Sequence, residues 1–281
     1  VRYALLSLLC DDKAAFRPVQ QAAESLTTML DSGNQSIVAM ASKHYMPSNT
    51  SRHSVNVAIY SVFLCELLNI KKEDRVFVAC AALLHDLGMQ KYERIINKPD
   101  KFTPAERNMI QRHPLDASKI IESLEGMDKE TARSLASVVS EVYEKYDGSG
   151  YPFRKQGEAI SQYAQIISIA NVYEALTHSR SWRKEMNQHD ALKIMLDHAG
   201  NAFSKKIVRL LIDGLSMYPP GTLVKLSTGD TARVIAVNPT LISQPKLEIV
   251  SQRGGNRFLN LATEKGILIT NVVSRNPQDD I

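Results

Sequence analysis

The chain contains the apolar run Phe77-Val78-Ala79-Cys80-Ala81-Ala82-Leu83-Leu84, which continues into His85-Asp86-Leu87-Gly88. Because the run is apolar nearly all round, it predicts a helix that is buried at the centre of the fold. Gly88 is well placed to end this helix as its C-terminal cap. We therefore expect His85 and Asp86, an imidazole beside a carboxylate, at the inner end of a central helix.

On both sides of this run, from about residue 14 to residue 199, apolar residues recur at helical spacing. The breaks between them are short and consist of Pro, Gly, Asn and Asp. Thr103 and Glu106 have the spacing of a capping box, with Pro104 at the first helical position. Further helices are predicted over 116–123, 129–146, 161–177, 188–198 and 204–215. The pattern predicts a mainly α protein built as a helical bundle.

The pattern changes after the turn-forming residues 218–221, which read Tyr-Pro-Pro-Gly. Three β-rich runs follow at 223–226, 232–237 and 246–250, and turn residues separate them. A small antiparallel β unit is therefore predicted from about residue 221 to residue 274.

Composition narrows the classes of protein to which this chain could belong. The 281 residues are 44% hydrophobic, enough for a buried core, and carry a net charge of +4. This charge suits an anionic ligand but is too small for a general nucleic-acid binder, so we expect no DNA partner. No run of 18 apolar residues occurs, and we expect no membrane insertion. Cys10, Cys65 and Cys80 fit no zinc motif, which favours buried free thiols in the cytoplasm.

A second motif lies further along the chain and reads Asp147-Gly148-Ser149-Gly150-Tyr151-Pro152-Phe153. Paired with the His85-Asp86 run, it resembles the HD-GYP family of bacterial cyclic-di-GMP phosphodiesterases. The resemblance implies an HD-type helical bundle at residues 45–220. A helical segment would precede it at 1–44, and a small β-rich subdomain would follow at 221–281.

The resemblance also implies a metal site. A pair of divalent ions would activate a water and hold the phosphate oxygens of the substrate. The ligand positions that match are His53, His85, Asp86 and His113, and Asp86 is expected to serve catalysis as well. His113 precedes a proline, so it could instead cap a helix.

Other positions depart from the family pattern. Val142-Tyr143-Glu144 stands where the family has His-His-Glu, and Asn171 replaces an Asp ligand. Met89 replaces a Lys, and Asn49 replaces a Glu, so five of the nine expected site positions are substituted. Asn171 is kept as a weak candidate ligand through its carbonyl oxygen. We expect one ion or none, with iron or manganese favoured because the ligands are imidazoles and a carboxylate.

The residues that would contact a nucleotide are better retained. Gly150 and Tyr151 match the family pattern, and Arg180 and Arg183 match basic positions with which the family binds phosphates. A guanidinium can bind phosphate without any metal, although the two arginines could equally lie on a solvated face. The resemblance also implies contacts between the Gly-Tyr-Pro loop and diguanylate cyclase domains. His178 matches no motif and is predicted to be a surface or packing residue.

Three hypotheses follow. The first is a degenerate HD-GYP domain that binds cyclic-di-GMP, or a related nucleotide, and signals with lost or strongly reduced phosphodiesterase activity. The second is an active metal-dependent phosphodiesterase in which Glu141, Tyr143, Glu144, Asn171 or water substitutes for the missing ligands. The third is an interaction scaffold that binds no nucleotide.

Overall fold

A computed structural model describes residues 15–31, 36–41, 50–98, 100–179, 184–238, 241, 243–250, 257–264 and 266–273. The chain divides into two compact units. The first consists of residues 1–185 and 197–208, and the second of residues 186–196 and 209–281. The second unit thus includes residues 186–196 and 209–220, which the sequence analysis placed in the helical domain.

The first unit is helical. Its helices are α1 Arg17–Asp31, α2 Ser36–Ala41, α3 Thr50–Leu67, α4 Lys72–Leu84, α5 Glu93–Ile96, α6 Pro104–Ile110, α7 His113–Glu122, α8 Lys129–Glu141 and α9 Gln162–Thr177. Within the ranges that the structure describes, this unit also has the short 3₁₀ helices Leu87–Tyr92 and Gly157–Ala159. The predicted mainly α bundle is confirmed.

Helix α4 lies at the centre of this bundle, as its apolar character predicted. Every residue from Val78 to Leu84 is buried, and the helix packs against α1, α3 and α8. Each fully buried leucine contributes roughly 1.5–3 kcal/mol relative to an exposed one. This burial fixes the end of α4, and with it the position of the residues that follow. Cys80 on α4 and Cys65 on α3 are buried free thiols, and burial raises the pKa of each to about 12.

Two local predictions about helix ends have different outcomes. The capping box at Thr103 is present, since its hydroxyl accepts the Glu106 amide while the Glu106 carboxylate accepts the Thr103 amide. The prediction that Gly88 caps α4 is wrong, because α4 ends at Leu84 and Gly88 lies buried within the first 3₁₀ helix. A Cβ on Gly88 would lie 2.1 Å from the His113 carbonyl oxygen. Glycine is needed there because two backbone segments approach closely.

The second unit contains a small antiparallel sheet, as predicted. Its strands are β1 Leu223–Leu226, β2 Thr231–Ala236, β3 Lys246–Ile249, β4 Arg257–Asn260 and β5 Ile269–Val273, in the order β4-β3-β2-β1-β5. Alternate residues of β1 and β2 point into a core that includes Val224 and Val234. Helix α10 (Gln188–Asp197) and helix α11 (Lys205–Leu215) belong mostly to this unit.

No helix in the described ranges has both the length and the apolar character needed to cross a bilayer.

Candidate metal centre

Asp86 is the hub of a buried polar cluster at the end of α4. One carboxylate oxygen, Oδ1, lies 3.4 Å from His85 Nε2 and 3.6 Å from His113 Nε2. The other, Oδ2, lies 3.6 Å from His53 Nε2. The structure thus brings together four of the residues that the sequence analysis proposed as ligands, although they come from three separate parts of the chain.

Local backbone contacts orient two of these imidazoles. His85 Nδ1 lies 2.8 Å from the Ala82 carbonyl oxygen, and His113 Nδ1 lies 2.8 Å from the Ile110 carbonyl oxygen. A carbonyl can only accept, so each Nδ1 carries the proton and each Nε2 presents a lone pair. Both Nε2 atoms are fully buried and have no hydrogen-bond partner among the described residues. Buried polar atoms are seldom left unpaired, and a lone pair directed at a carboxylate indicates a cation site.

A buried carboxylate orients the third imidazole. His53 on α3 forms a hydrogen bond through Nδ1 with Glu174 on α9, and the Glu174 carboxylate also accepts the Asn56 amide at 3.3 Å. Carboxylates commonly hold metal-binding histidines in this way, because they fix the tautomer and raise the basicity of the other ring nitrogen. His53 therefore directs Nε2 toward Asp86.

The protonation states also suit a divalent cation. Burial by itself would raise the pKa of Asp86, but His85, His53, His113 and a hydrogen bond from Tyr143 outweigh it and lower the pKa. Burial lowers the pKa of His85 and of His113, which keeps both imidazoles neutral at pH 7. One anionic carboxylate surrounded by neutral imidazoles is a set of donors that fits a transition-metal ion. His53, His85 and Asp86 each offer a ligand atom within 4.8 Å of the others.

Tyr143, which stands at a sequence position where the family pattern has a histidine, contacts the cluster. Its hydroxyl donates to Asp86 Oδ1 at 2.6 Å, and the buried side chain of Asn171 is hydrogen-bonded to the same hydroxyl. The tyrosine ring lies edge-on to the His113 imidazole, with 4.4 Å between ring centroids. Asn171 thus lies close to the cluster through Tyr143, and its role as a metal ligand stays a prediction.

The two carboxylates considered as substitute ligands are engaged elsewhere. Glu141 accepts hydrogen bonds from the Lys155 ammonium at 2.6 Å and the Ser161 amide at 2.8 Å. Glu144 accepts the Phe153 amide at 2.6 Å and the Lys155 amide at 3.1 Å. Both therefore hold the loop that follows α8. Because residues 141–146 begin this arrangement, α8 ends at Glu141 and not at residue 146 as predicted.

The Gly-Tyr-Pro loop lies beside the cluster. Tyr151 stacks on Tyr143 with 5.3 Å between ring centroids and 20° between ring planes. Gly150 packs so closely that a Cβ would lie 2.3 Å from the Lys145 amide nitrogen. The proposed phosphate-binding residues Arg180 and Arg183 lie outside the described residues. Nucleotide binding by these four residues stays a prediction.

Glu174 and Asn56 were not predicted from the sequence as site residues. Glu174 lies three residues after Asn171 on α9, so both side chains lie on the same face of that helix. That spacing was the available signal, but the partner, His53, is 121 residues away in sequence. His178 proves to be a fully buried packing residue, with Nε2 3.3 Å from the Asn56 amide nitrogen.

Comparisons with known proteins agree with this geometry. The sequence pattern described as HD domain matches residues 24–207. A cyclic di-GMP phosphodiesterase of Pseudomonas aeruginosa is 29% identical over 205 residues, covering 71% of this chain and 47% of that protein. The 3′3′-cGAMP-specific phosphodiesterase 3 of Vibrio cholerae is 32% identical over 171 residues, covering 60% of this chain and 36% of that protein.

A solved structure shares the fold. A protein of Bdellovibrio bacteriovorus, described as an HDG"Y"P protein, superimposes with a TM-score of 0.58 at 22% identity, covering 71% of this chain and 63% of that one. The chain spans about half the length, or less, of the curated relatives it matches. The motifs, the fold and the matched pattern lead to one conclusion: this chain belongs to the HD domain family, and it resembles the HD-GYP proteins within it.

Proposed function

We propose that this chain is a cyclic dinucleotide-binding signalling protein of the cytoplasm, in which the HD site has lost or strongly reduced phosphodiesterase activity. The observation that carries the proposal is the hydrogen bond from Tyr143 to Asp86 Oδ1, at 2.6 Å. A carboxylate oxygen that accepts this hydroxyl is less available to a metal ion. The neighbouring Val142, 1% exposed and apolar, offers no replacement ligand.

The chemistry that remains is limited. A divalent ion held by His53, His85 and Asp86 would acidify a bound water and neutralise charge on a phosphate. The protein itself supplies oriented Nε2 atoms and one anionic carboxylate, and it shields all three imidazoles from bulk solvent by burying them. We propose one ion or none, with iron or manganese preferred for this donor set.

The ligand class rests on relatives and on the retained loop. The curated relatives above are named for activity on cyclic di-GMP or 3′3′-cGAMP, both of which are cyclic dinucleotides. Tyr151 offers a partly exposed ring beside the cluster, and Arg180 with Arg183 would supply guanidinium groups for the phosphates. Nucleotide binding through these groups does not require hydrolysis of the nucleotide.

A second candidate function is an active phosphodiesterase. It is favoured by the intact His53, His85, Asp86 and His113 cluster and by the activity for which the relatives are named. An interaction scaffold that binds no nucleotide is the third possibility, and no described contact favours it.

A single-turnover experiment separates these functions. The protein is reconstituted anaerobically with iron or manganese, mixed in excess with cyclic-di-GMP or 3′3′-cGAMP, and separated from free nucleotide before and after denaturation. We expect intact nucleotide to be retained by the protein. Linear product that disappears with chelator would establish the phosphodiesterase, and intact nucleotide left free would leave the scaffold.

Two sets of variants sharpen this experiment. Replacing Arg180 and Arg183 together by Ala is expected to abolish retention, whereas Arg133→Ala, an exposed arginine on α8, should not. Val142→His, Tyr143→His and Asn171→Asp introduced together should create or raise turnover if the natural site is disabled.

We also propose that the Gly-Tyr-Pro loop contacts a diguanylate cyclase domain. Phe153 follows the loop and is 53% exposed, which is unusual for a large apolar side chain. Phe153→Ser should abolish co-purification with such a domain. Met109→Ser, which removes an apolar side chain that is 50% exposed on α6, is the matched control. Equal binding by both variants would exclude the loop as the contact.

A further inference from the structure

We propose that Tyr143, positioned by Asn171, takes the place of a second metal ion and limits the HD cluster to a single ion. The inference deepens the proposed function, because it rests on a metal-binding HD site, but it does not depend on nucleotide binding. Three features of the cluster support it: the contacts of Asp86, the contacts of the Tyr143 hydroxyl, and the supply of donor atoms.

The first feature is the environment of Asp86. A carboxylate that bridges two cations uses one oxygen for each. Asp86 Oδ2 faces His53, at 3.6 Å from Nε2, and Oδ1 accepts the Tyr143 hydroxyl at 2.6 Å. A hydrogen bond to a carboxylate at this length is charge-assisted and strong. The tyrosine proton therefore lies where a second cation would approach Oδ1.

The second feature is the set of contacts that hold Tyr143. The Tyr143 hydroxyl has one proton and donates it to Asp86, so its hydrogen bond with Asn171 leaves the tyrosine oxygen as acceptor and the Asn171 amide as donor. The ring is enclosed by Tyr151, stacked at 5.3 Å, and by the edge-on His113 at 4.4 Å. An aspartate at position 171 would accept a hydrogen bond from the Tyr143 hydroxyl instead of donating one to it. Asparagine at position 171 therefore suits tyrosine at position 143, because it leaves the tyrosine proton free to bond to Asp86.

The third feature is the supply of ligands. Three imidazoles face Asp86 among the described residues: His85 and His113 lie 3.4 Å and 3.6 Å from Oδ1, and His53 lies 3.6 Å from Oδ2. Val142, adjacent to Tyr143, is apolar and adds no donor. A zinc ion held at about 2.0–2.2 Å by nitrogen and oxygen, for example, takes three or four such donors from the protein. His53, His85 and Asp86 offer ligand atoms within 4.8 Å of one another, and His113 adds one further imidazole. The donors present can therefore complete a single site.

Counting metal ions tests the inference without an activity assay. The whole chain is loaded anaerobically with manganese, desalted, and its metal content measured by mass spectrometry. We expect about one ion per wild-type chain and an isolated manganese signal in electron paramagnetic resonance. Tyr143→His, which restores an imidazole beside His113, should bind about two ions and show a spin-coupled signal.

The control is Tyr146→Phe, which also removes a tyrosine that donates to a carboxylate, Glu158 at 2.8 Å. It should bind one ion, like the wild type. A wild-type count of zero or two overturns the inference, and this measurement stands even if Tyr143→His does not fold. A count of one in Tyr143→His that is folded by circular dichroism also overturns it. Loss of nucleotide retention with one ion bound would overturn only the proposed function.

Discussion

Glu174 is expected to control metal affinity although it is not itself a proposed ligand. In Glu174→Gln, an amide replaces the carboxylate that accepts both His53 Nδ1 and the Asn56 amide. An amide has only one acceptor oxygen, so one of these two donors loses its acceptor. If the amide nitrogen faces His53, the imidazole must move its proton to Nε2, and Nε2 can then no longer bind a metal.

The size of the effect follows from this contact. A hydrogen bond to a charged group contributes about 1.5–3 kcal/mol. Since about 1.4 kcal/mol corresponds to a tenfold change in affinity, the variant should bind metal roughly 10–100-fold more weakly. Affinity is measured by titrating metal-free protein with manganese in competition with a fluorescent chelator.

The matched control is Glu141→Gln, which changes another buried carboxylate that accepts two hydrogen bonds. It should destabilise the protein without weakening metal binding by more than about threefold, because Glu141 contacts Lys155 and Ser161 and no proposed ligand. Wild-type affinity in Glu174→Gln, or an equal loss in both variants, would refute the proposed role of the carboxylate.

Two further predictions concern stability around the cluster. Gly88→Ala would place a Cβ 2.1 Å from the His113 carbonyl oxygen, so we expect a loss of about 1–3 kcal/mol in urea unfolding and weaker metal binding; an unchanged midpoint would contradict this close packing. For Asp116, burial by itself would raise the pKa, but hydrogen bonds from Lys91 and Tyr92 outweigh it and lower the pKa. A carboxylate whose pKa is lowered by folding stabilises the fold at pH values above its ordinary pKa of 3.8. This stabilisation is lost as the pH falls through the lower pKa of the folded state. Asp116→Asn should therefore flatten the decline of stability below about pH 4.

The elements that sequence alone predicted are those whose cause is local. Helix α4 was predicted because its residues are apolar on every side, and such a helix has to be buried. The start of α6 was predicted because the capping box satisfies the first backbone amides within four residues. The sheet was predicted from β-branched runs, but β4 and β5 were not identified singly, since Phe258 on β4 is exposed and β5 is only partly buried.

What sequence could not predict depends on contacts between distant residues. Tyr143 was counted as a lost ligand, and nothing in its neighbours indicated that its hydroxyl would reach Asp86, 57 positions earlier. Glu174 was not singled out because its role depends on His53. The position of Gly88 was misread for the same reason: its lack of a side chain serves the approach of His113, which belongs to another helix.

The contacts of the Gly-Tyr-Pro loop bear on the proposal that nucleotide binding persists without catalysis. The loop is held by Glu144, which accepts the Phe153 and Lys155 amides, and by Glu141, which accepts the Lys155 ammonium and the Ser161 amide. All these donors are satisfied by protein carboxylates, so the loop conformation does not require a metal ion. The cluster, in contrast, leaves two buried imidazole nitrogens without a partner among the described residues. Removal of metal should therefore loosen the cluster while the loop keeps its shape. A nucleotide recognised through the loop and through guanidinium groups would then still bind after hydrolysis had been lost.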